Sequence, residues 1–222
     1  MSTDVTRDFA FGLPKAELHL HLEGTLEPDL KLALARKNGV DIGQSTVEEV
    51  QATYRFNDLT SFLAVYYPAM DVLQDEDDFH DLAAAYFERA RANGVVRAEC
   101  FFDPQAHTSR GIAIETVIRG YHRAVVEARE AGLSADLILC FLRDMSAQSA
   151  LETLQAALPY KDMFIGVGLD SDERDNPPTK FAEVFALARE AGLHVTMHCD
   201  IDQVGSIDNI RAALIELGAE RL

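Results

Sequence analysis

The sequence predicts an α/β fold built on a parallel sheet. Apolar strand-like runs alternate with amphipathic helical runs after about residue 95. They recur every ~25–30 residues, the length of a right-handed βαβ unit. Two parallel architectures satisfy that pattern, an open doubly wound sheet and a (β/α)8 barrel. Against the first, the chain after the first strand reads Leu22-Glu23-Gly24-Thr25, without the glycine fingerprint that cradles a dinucleotide. In support of the second, ionisable residues recur at the C-terminal ends of the strands: His19 and His21, Asp103, Arg143 with Asp144, Asp170, and His198 with Asp200 and Asp202. That is the end at which barrels assemble their sites. Five strands cannot close an eight-stranded barrel, and a complete one usually needs ~250 residues. The expectation is a TIM-type (β/α)8 chain that stops early, as one domain over residues 1–222 with about the first five βα units present.

The first strand is expected at 16–22, an apolar run holding two histidines and ending before Gly24. Residues 27–93 follow as a long, acidic, mainly helical insertion, placed to form a lid over that strand's C-terminal end. Further strands are expected at 95–102, 135–142, 163–169 and 194–199, where apolar and β-branched residues cluster between turn signals. Helices are expected at 112–131, 147–158, 179–191 and 207–217, with Gly132 and Gly192 closing two of them. No low-complexity segment, fixed-period repeat or Pro/Gly/Ser-rich linker divides the chain.

Charge and cysteine usage narrow the partners. A net charge of −17 and a pI near 4.7 argue against nucleic acid or an anionic membrane surface, because like charges repel. No apolar run approaches the ~18 residues needed to cross a membrane. The first eleven residues carry Asp4 and Asp8 where a secretory signal is apolar. Cys100, Cys140 and Cys199 are odd in number and far apart, so buried thiols in a reducing compartment are expected rather than disulfides. These features place the protein in the cytoplasm. An isolated five-strand sheet would expose two open edges and an apolar barrel interior, so aggregation or homo-oligomerisation is expected of this chain.

Residues i and i+2 of a strand face the same way, so His19 and His21 project together. Such a pair is half of a metal site, and equally two half-exposed histidines. Alternation in the run 193–198 puts His194, Thr196 and His198 on one face, with His198 at the C-terminal tip. There it would join His19 and His21, giving three nitrogens and an open position for one zinc ion, whose bound water has a pKa near 7. His194, at the strand's start, reads as structural. Asp200 and Asp202 are candidate general acids or bases, or solvated carboxylates ahead of a helix N-terminus. His80, His107 and His122 are expected in structural or surface roles, and the polar loop 170–178 sits where functional loops concentrate.

The segment Pro14-Lys15-Ala16-Glu17-Leu18-His19-Leu20-His21-Leu22-Glu23-Gly24 resembles the opening motif of the adenosine/adenine deaminases of the metal-dependent amidohydrolase superfamily. Phe101-Phe102-Asp103-Pro104-Gln105-Ala106-His107-Thr108 and Gly166-Val167-Gly168-Leu169-Asp170-Ser171 are similar to segments of its adenine deaminase branch. The resemblance runs over residues 13–222. It implies a (β/α)8 barrel that binds one Zn2+ and replaces a purine 6-amino group by hydroxyl, releasing ammonia. By position, His19, His21 and His198 would be zinc ligands, and Glu23, Gly168 and Asp170 would contact the purine substrate. Glu23 stands where nucleoside deaminases of the family carry an Asp that reaches ribose. One methylene longer, it resembles the free-base enzymes and inclines the expectation toward adenine over adenosine, a modest discrimination on its own.

The sequence departs from that family in two places. Where the family reads His-Ala-Gly-Glu, this chain reads His198-Cys199-Asp200-Ile201-Asp202, so Ile201 occupies the position of the proton-donating Glu. Asp202 or Asp200 would have to carry the acid/base work. The family's later catalytic His and metal-binding Asp come from strands six and eight, beyond Leu222. These departures keep two alternatives open beside an adenine deaminase: an adenosine deaminase proper, and a catalytically inactive purine-binding relative.

Overall fold

Five parallel strands form one sheet in sequence order: β1 (Lys15–His21), β2 (Val95–Phe102), β3 (Ser134–Leu142), β4 (Gly166–Asp170) and β5 (His194–Val195). This is a computed structural model, and it describes residues 2–199 and 204–222. Helix α1 (Ser2–Gly12), which the sequence did not announce, precedes β1. Between β1 and β2 run α2 (Pro28–Asn38), α3 (Val47–Ala52), α4 (Leu59–Ala69) and α5 (Glu76–Ala92). Helices α6 (Pro104–Thr108) and α7 (Ile114–Glu130) follow β2, α8 (Ala147–Ala157) follows β3 and α9 (Ala182–Glu190) follows β4. After β5 comes α10 (Ser206–Arg211), continued by a π-helical turn, Ala212–Glu216. Strands joined in sequence order through helices are the arc of a (β/α)8 barrel rather than a doubly wound sheet, whose strand order reverses. Among the described residues no helix is long and apolar enough to cross a membrane.

Alternation along the strands sorts side chains onto two faces. Cys100, Phe102, Leu137, Leu139, Phe141, Val167, Leu169, Val195 and Met197 join the large core shared with the helices. Phe101, Ile138 and Cys140 form a separate small cluster on the concave face. The sequence leads to the expectation of an apolar interior face, and the structure corrects it. Toward the strands' N-terminal ends that face carries an ion network in which Arg97 meets Glu99 at 2.8 Å and also Asp136, and Arg221 meets Glu99 at 2.7 Å. Paired charges there reduce the apolar surface that would drive aggregation.

The stretch 27–93 divides into two parts. Helices α2 to α4 start at identifiable signals: Pro28 in the first turn of α2, and reciprocal capping boxes at Thr46/Glu49 and Asp58/Ser61. Helix α5, capped by Asp75 and Asp78, instead packs beside α7 in the helical layer. Gly120 of α7 lets the two approach: a Cβ there would stand 2.5 Å from the Glu76 carbonyl oxygen and 2.6 Å from Phe79 Cβ. The regular part of β5 is shorter than the expected 194–199, yet its pairing continues. The amides of His194, Thr196 and His198 donate in turn to the carbonyls of Ile165, Val167 and Leu169 at 2.9–3.1 Å. His198 therefore keeps the strand's direction to the sheet's C-terminal edge.

Candidate active site

At that edge the three histidines meet. His198 Nε2 lies 2.9 Å from His19 Nε2 and 2.9 Å from His21 Nε2, so three ring nitrogens from β1 and the end of β5 point at one spot. Phe101 supports them from below, its ring centroid 4.5 Å from that of His19 and 5.0 Å from that of His21. Burial, then the neighbouring His21 and Arg221, lower the pKa of His19 to about 4. Burial, then His21, His19 and Arg143, lower that of His198 to about 3. At neutral pH these imidazoles carry free lone pairs with no proton to displace, the form that ligates a metal. Nitrogens this close, with too few protons to bridge them all, are a donor set suited to a tetrahedral cation.

His21 Nδ1 lies 3.2 Å from Asp170 Oδ2, which fixes the ring's tautomer and leaves Nε2 as the donor atom. Asp170 is buried, and burial raises its pKa to about 7, with the Glu23 charge adding to the rise and hydrogen bonds from Asp103 and Cys140 opposing it. A second possible donor set, His21, Asp103, Cys140 and Asp170, shares His21 with the first. Burial and the surrounding carboxylates hold the Cys140 thiol pKa well above the ordinary value, so without a cation it stays protonated.

In front of the histidines opens a cavity of about 630 Å3. His21, His198, Asp103 and Asp170 form its floor, Leu20, Phe62, Leu63, Tyr66 and Tyr67 its walls, and Asp58 with residues 171–174 its rim. Helix α4 supplies the aromatic wall and is tied to the loop after β4 by Tyr67, whose hydroxyl donates to Ser171 Oγ at 2.8 Å. The fully buried Arg143 anchors the far side, donating to the His198 carbonyl at 3.1 Å and the Asn176 carbonyl at 2.9 Å. The volume and the mixture of aromatic wall and few polar groups suit a small planar ligand.

The other expected site residues are placed differently. Glu23 does not line the cavity. Its carboxylate is buried behind the floor, where Oε1 accepts from the Asp103 amide at 3.1 Å, His107 Nε2 at 3.1 Å and the Tyr121 hydroxyl at 3.0 Å. Burial acts to raise its pKa, but the hydrogen bonds from His107 and the Asp103 amide outweigh that and hold it below the usual value. Gly168 is also absent from the lining, and its reason is packing: a Cβ would meet Cys140 Sγ at 2.5 Å and the Phe101 ring at 3.2 Å. Asp200 and Asp202, with Ile201 between them, lie outside the described residues.

The sequence offers His107 only a structural or surface place, and Asp103 and Arg143 only a strand-end position. His107 is fully buried; Arg110 donates to its Nδ1 at 3.0 Å, so its Nε2–H is the one aimed at Glu23. No signal in the sequence revealed this, whereas Asp103 was legible as the next same-face residue after Phe101. His194 is exposed and pairs with Glu220 at 2.9 Å, as its place at the strand's start suggested.

The family profile described as Adenosine deaminase matches residues 14–222. The chain belongs to that family. It is 52% identical over 221 residues to an uncharacterised deaminase of Schizosaccharomyces pombe, covering 99% of this chain and 65% of that protein. It is 54% identical over 211 residues to an adenine deaminase of Geotalea uraniireducens, covering 95% of this chain and 59% of that protein. The chain thus spans less than two thirds of the length of these relatives. Among solved structures, the adenine deaminase of Arthrobacter aurescens superposes with a TM-score of 0.90 at 48% identity, covering 94% of this chain and 63% of that one. An amidohydrolase of Burkholderia ambifaria with bound Zn gives a TM-score of 0.82 at 29% identity, covering all of this chain and 61% of that one. The partial (β/α)8 barrel of this deaminase-family chain is the fold these structures share.

Proposed function

We propose that the protein hydrolytically deaminates a 6-aminopurine, adenine in preference to adenosine, with one zinc ion held by His19, His21 and His198. The observation that carries this reading is the convergence of three imidazole nitrogens at an aromatic-walled cavity large enough for a purine. The names of the relatives, adenine deaminase in Geotalea uraniireducens and Arthrobacter aurescens, support the substrate class. When bound, zinc supplies a Lewis acid that brings the pKa of a water to about 7. This chain's residues then do the positioning. Asp170 holds the His21 tautomer, Arg143 fixes the His198 backbone, and Phe62, Tyr66 and Tyr67 stack the base and exclude bulk water. Asp202 or Asp200 would hold the proton delivered to the ring nitrogen, the work Ile201 cannot do. Overall, adenine and water give hypoxanthine and ammonia. Zinc-loaded full-length protein is expected to convert adenine with equimolar ammonia release. Binding of adenine with no ammonia release would select the inactive purine-binding relative, and no response to adenine or adenosine would refute the purine reading.

Asp170→Asn is expected to split two properties. Loss of the carboxylate behind His21 should weaken zinc binding by ~10–100-fold, measured by competition with a chelator. In the metal-free protein the sign reverses. Asp170 has a folded pKa of about 7, above its ordinary 3.8, so its protonated form stabilises the fold at low pH and that contribution is lost as pH rises through 7. Asn mimics the protonated acid, so the metal-free variant should match wild type near pH 4 and exceed its stability by ~1–3 kcal/mol at pH 8. Equal melting temperatures across that range would contradict it.

A further inference from the structure

One buried carboxyl on the cavity floor, that of Asp103, bonds to Asp170 yet keeps an oxygen free. Asp103 directly follows β2 with 1% of its surface exposed, and its Oδ1 has no hydrogen-bond partner. Although Asp103 is the residue from which α6 starts, its side chain makes no capping bond, so it is withheld from the usual local use of an aspartate at that position. Its backbone is held: the amide donates to Glu23 Oε1 at 3.1 Å, and Glu23 is itself fixed by His107 and Tyr121. The carboxyl lines the cavity beside Asp170, His21 and His198. An acceptor buried without a partner is costly, and a ligand that brings a donor removes the cost.

We propose that Asp103 is a specificity-determining substrate contact, its free oxygen accepting the five-membered-ring N–H that a free purine base has and a nucleoside lacks. The inference rests on the purine reading and deepens it. It also gives Glu23 a part in base selection without direct contact: Glu23 sets the backbone from which Asp103 reaches the base. A ligand substituted at that nitrogen leaves the Asp103 oxygen unpaired and places its substituent against the floor. Sites built to receive a hydrogen bond discriminate far more sharply than sites that differ by a methylene.

The test compares binding of adenine and 9-methyladenine to zinc-loaded full-length protein by calorimetry, with zinc content measured in parallel. Wild type is expected to bind adenine at least tenfold more tightly than 9-methyladenine. Asp103→Ala should weaken adenine binding ~10–100-fold while changing 9-methyladenine binding less than ~twofold, with one zinc retained. Asp103→Asn, whose amide oxygen still accepts, should restore most of the preference, which a merely structural role would not explain. The proposal is overturned if the alanine variant keeps the wild-type ratio, or if both ligands weaken equally. Should the alanine variant fail to fold, equal affinity of wild type for the two ligands overturns it instead. Failure of wild type to bind any purine removes the underlying purine reading and this inference with it, an outcome distinct from a lost preference.

Discussion

His198→Ala is expected to lower zinc affinity by on the order of 10³-fold or more, beyond the range typical of losing an outer partner, and to abolish turnover with it. His198 Nε2 is the atom that both other ring nitrogens approach at 2.9 Å, so its removal leaves two donors that no longer surround a common point. The fold should tolerate the change. His198 is partly exposed, and its backbone ties to Leu169 and Arg143 do not involve the side chain. The metal-free variant should therefore melt close to wild type, while the rise in melting temperature produced by zinc, which follows from ligand binding to the native state alone, should vanish. Retention of stoichiometric zinc would contradict the ligand assignment. A pH signature accompanies it. With folded pKa values of about 4 for His19 and about 3 for His198, below the ordinary 6.5, the unfolded chain binds more protons across that interval. Metal-free wild type therefore loses stability as pH falls from 6.5 toward 3, and the variant should show a shallower slope.

Gly120→Ala is expected to destabilise the protein although alanine is the better helix former. In an exposed helix the change would stabilise by about 1 kcal/mol. Here the new methyl meets the Glu76 carbonyl and Phe79 Cβ at 2.5 and 2.6 Å, and neither is the free end of a flexible side chain. Helices α5 and α7 must separate, and overpacking of this kind costs ~3 kcal/mol. The net loss of ~2 kcal/mol corresponds to a melting temperature lower by ~4–8 °C for a chain of this size. An unchanged or higher melting temperature would show that the two helices are not in that contact.

The legible parts of this protein were those carried by local pattern. Strand β2 matches its expected limits, and β1, β3, α7 and α8 fall within a residue or two, because period-two alternation and glycine stops act over a few residues. The boundaries went astray where tertiary context intervened. Residues 158–163, ahead of β4, are drawn into a 3-10 turn beginning Leu158-Pro159, and α5 belongs to the helical layer although it lies inside an apparent insertion. In the site, strand-end position alone picked out His19, His21, His198, Asp103, Arg143 and Asp170. It could not say which way each side chain turned. Glu23 follows the histidine pair in the most recognisable motif of the chain, yet its Oε1 is held behind the cavity floor by the Asp103 amide, His107 and Tyr121.

By itself, then, the sequence determined the parallel α/β class, the direction of every strand and the end of the sheet at which chemistry would gather, since these follow from periodicity and βα spacing. Only the tertiary structure decided the close approach of α7 to α5 that excludes a Cβ at Gly120, the hidden position of Glu23, and the unpaired oxygen of Asp103 on the cavity floor. Those depend on distances between residues far apart in the chain, and one sequence records no such distance.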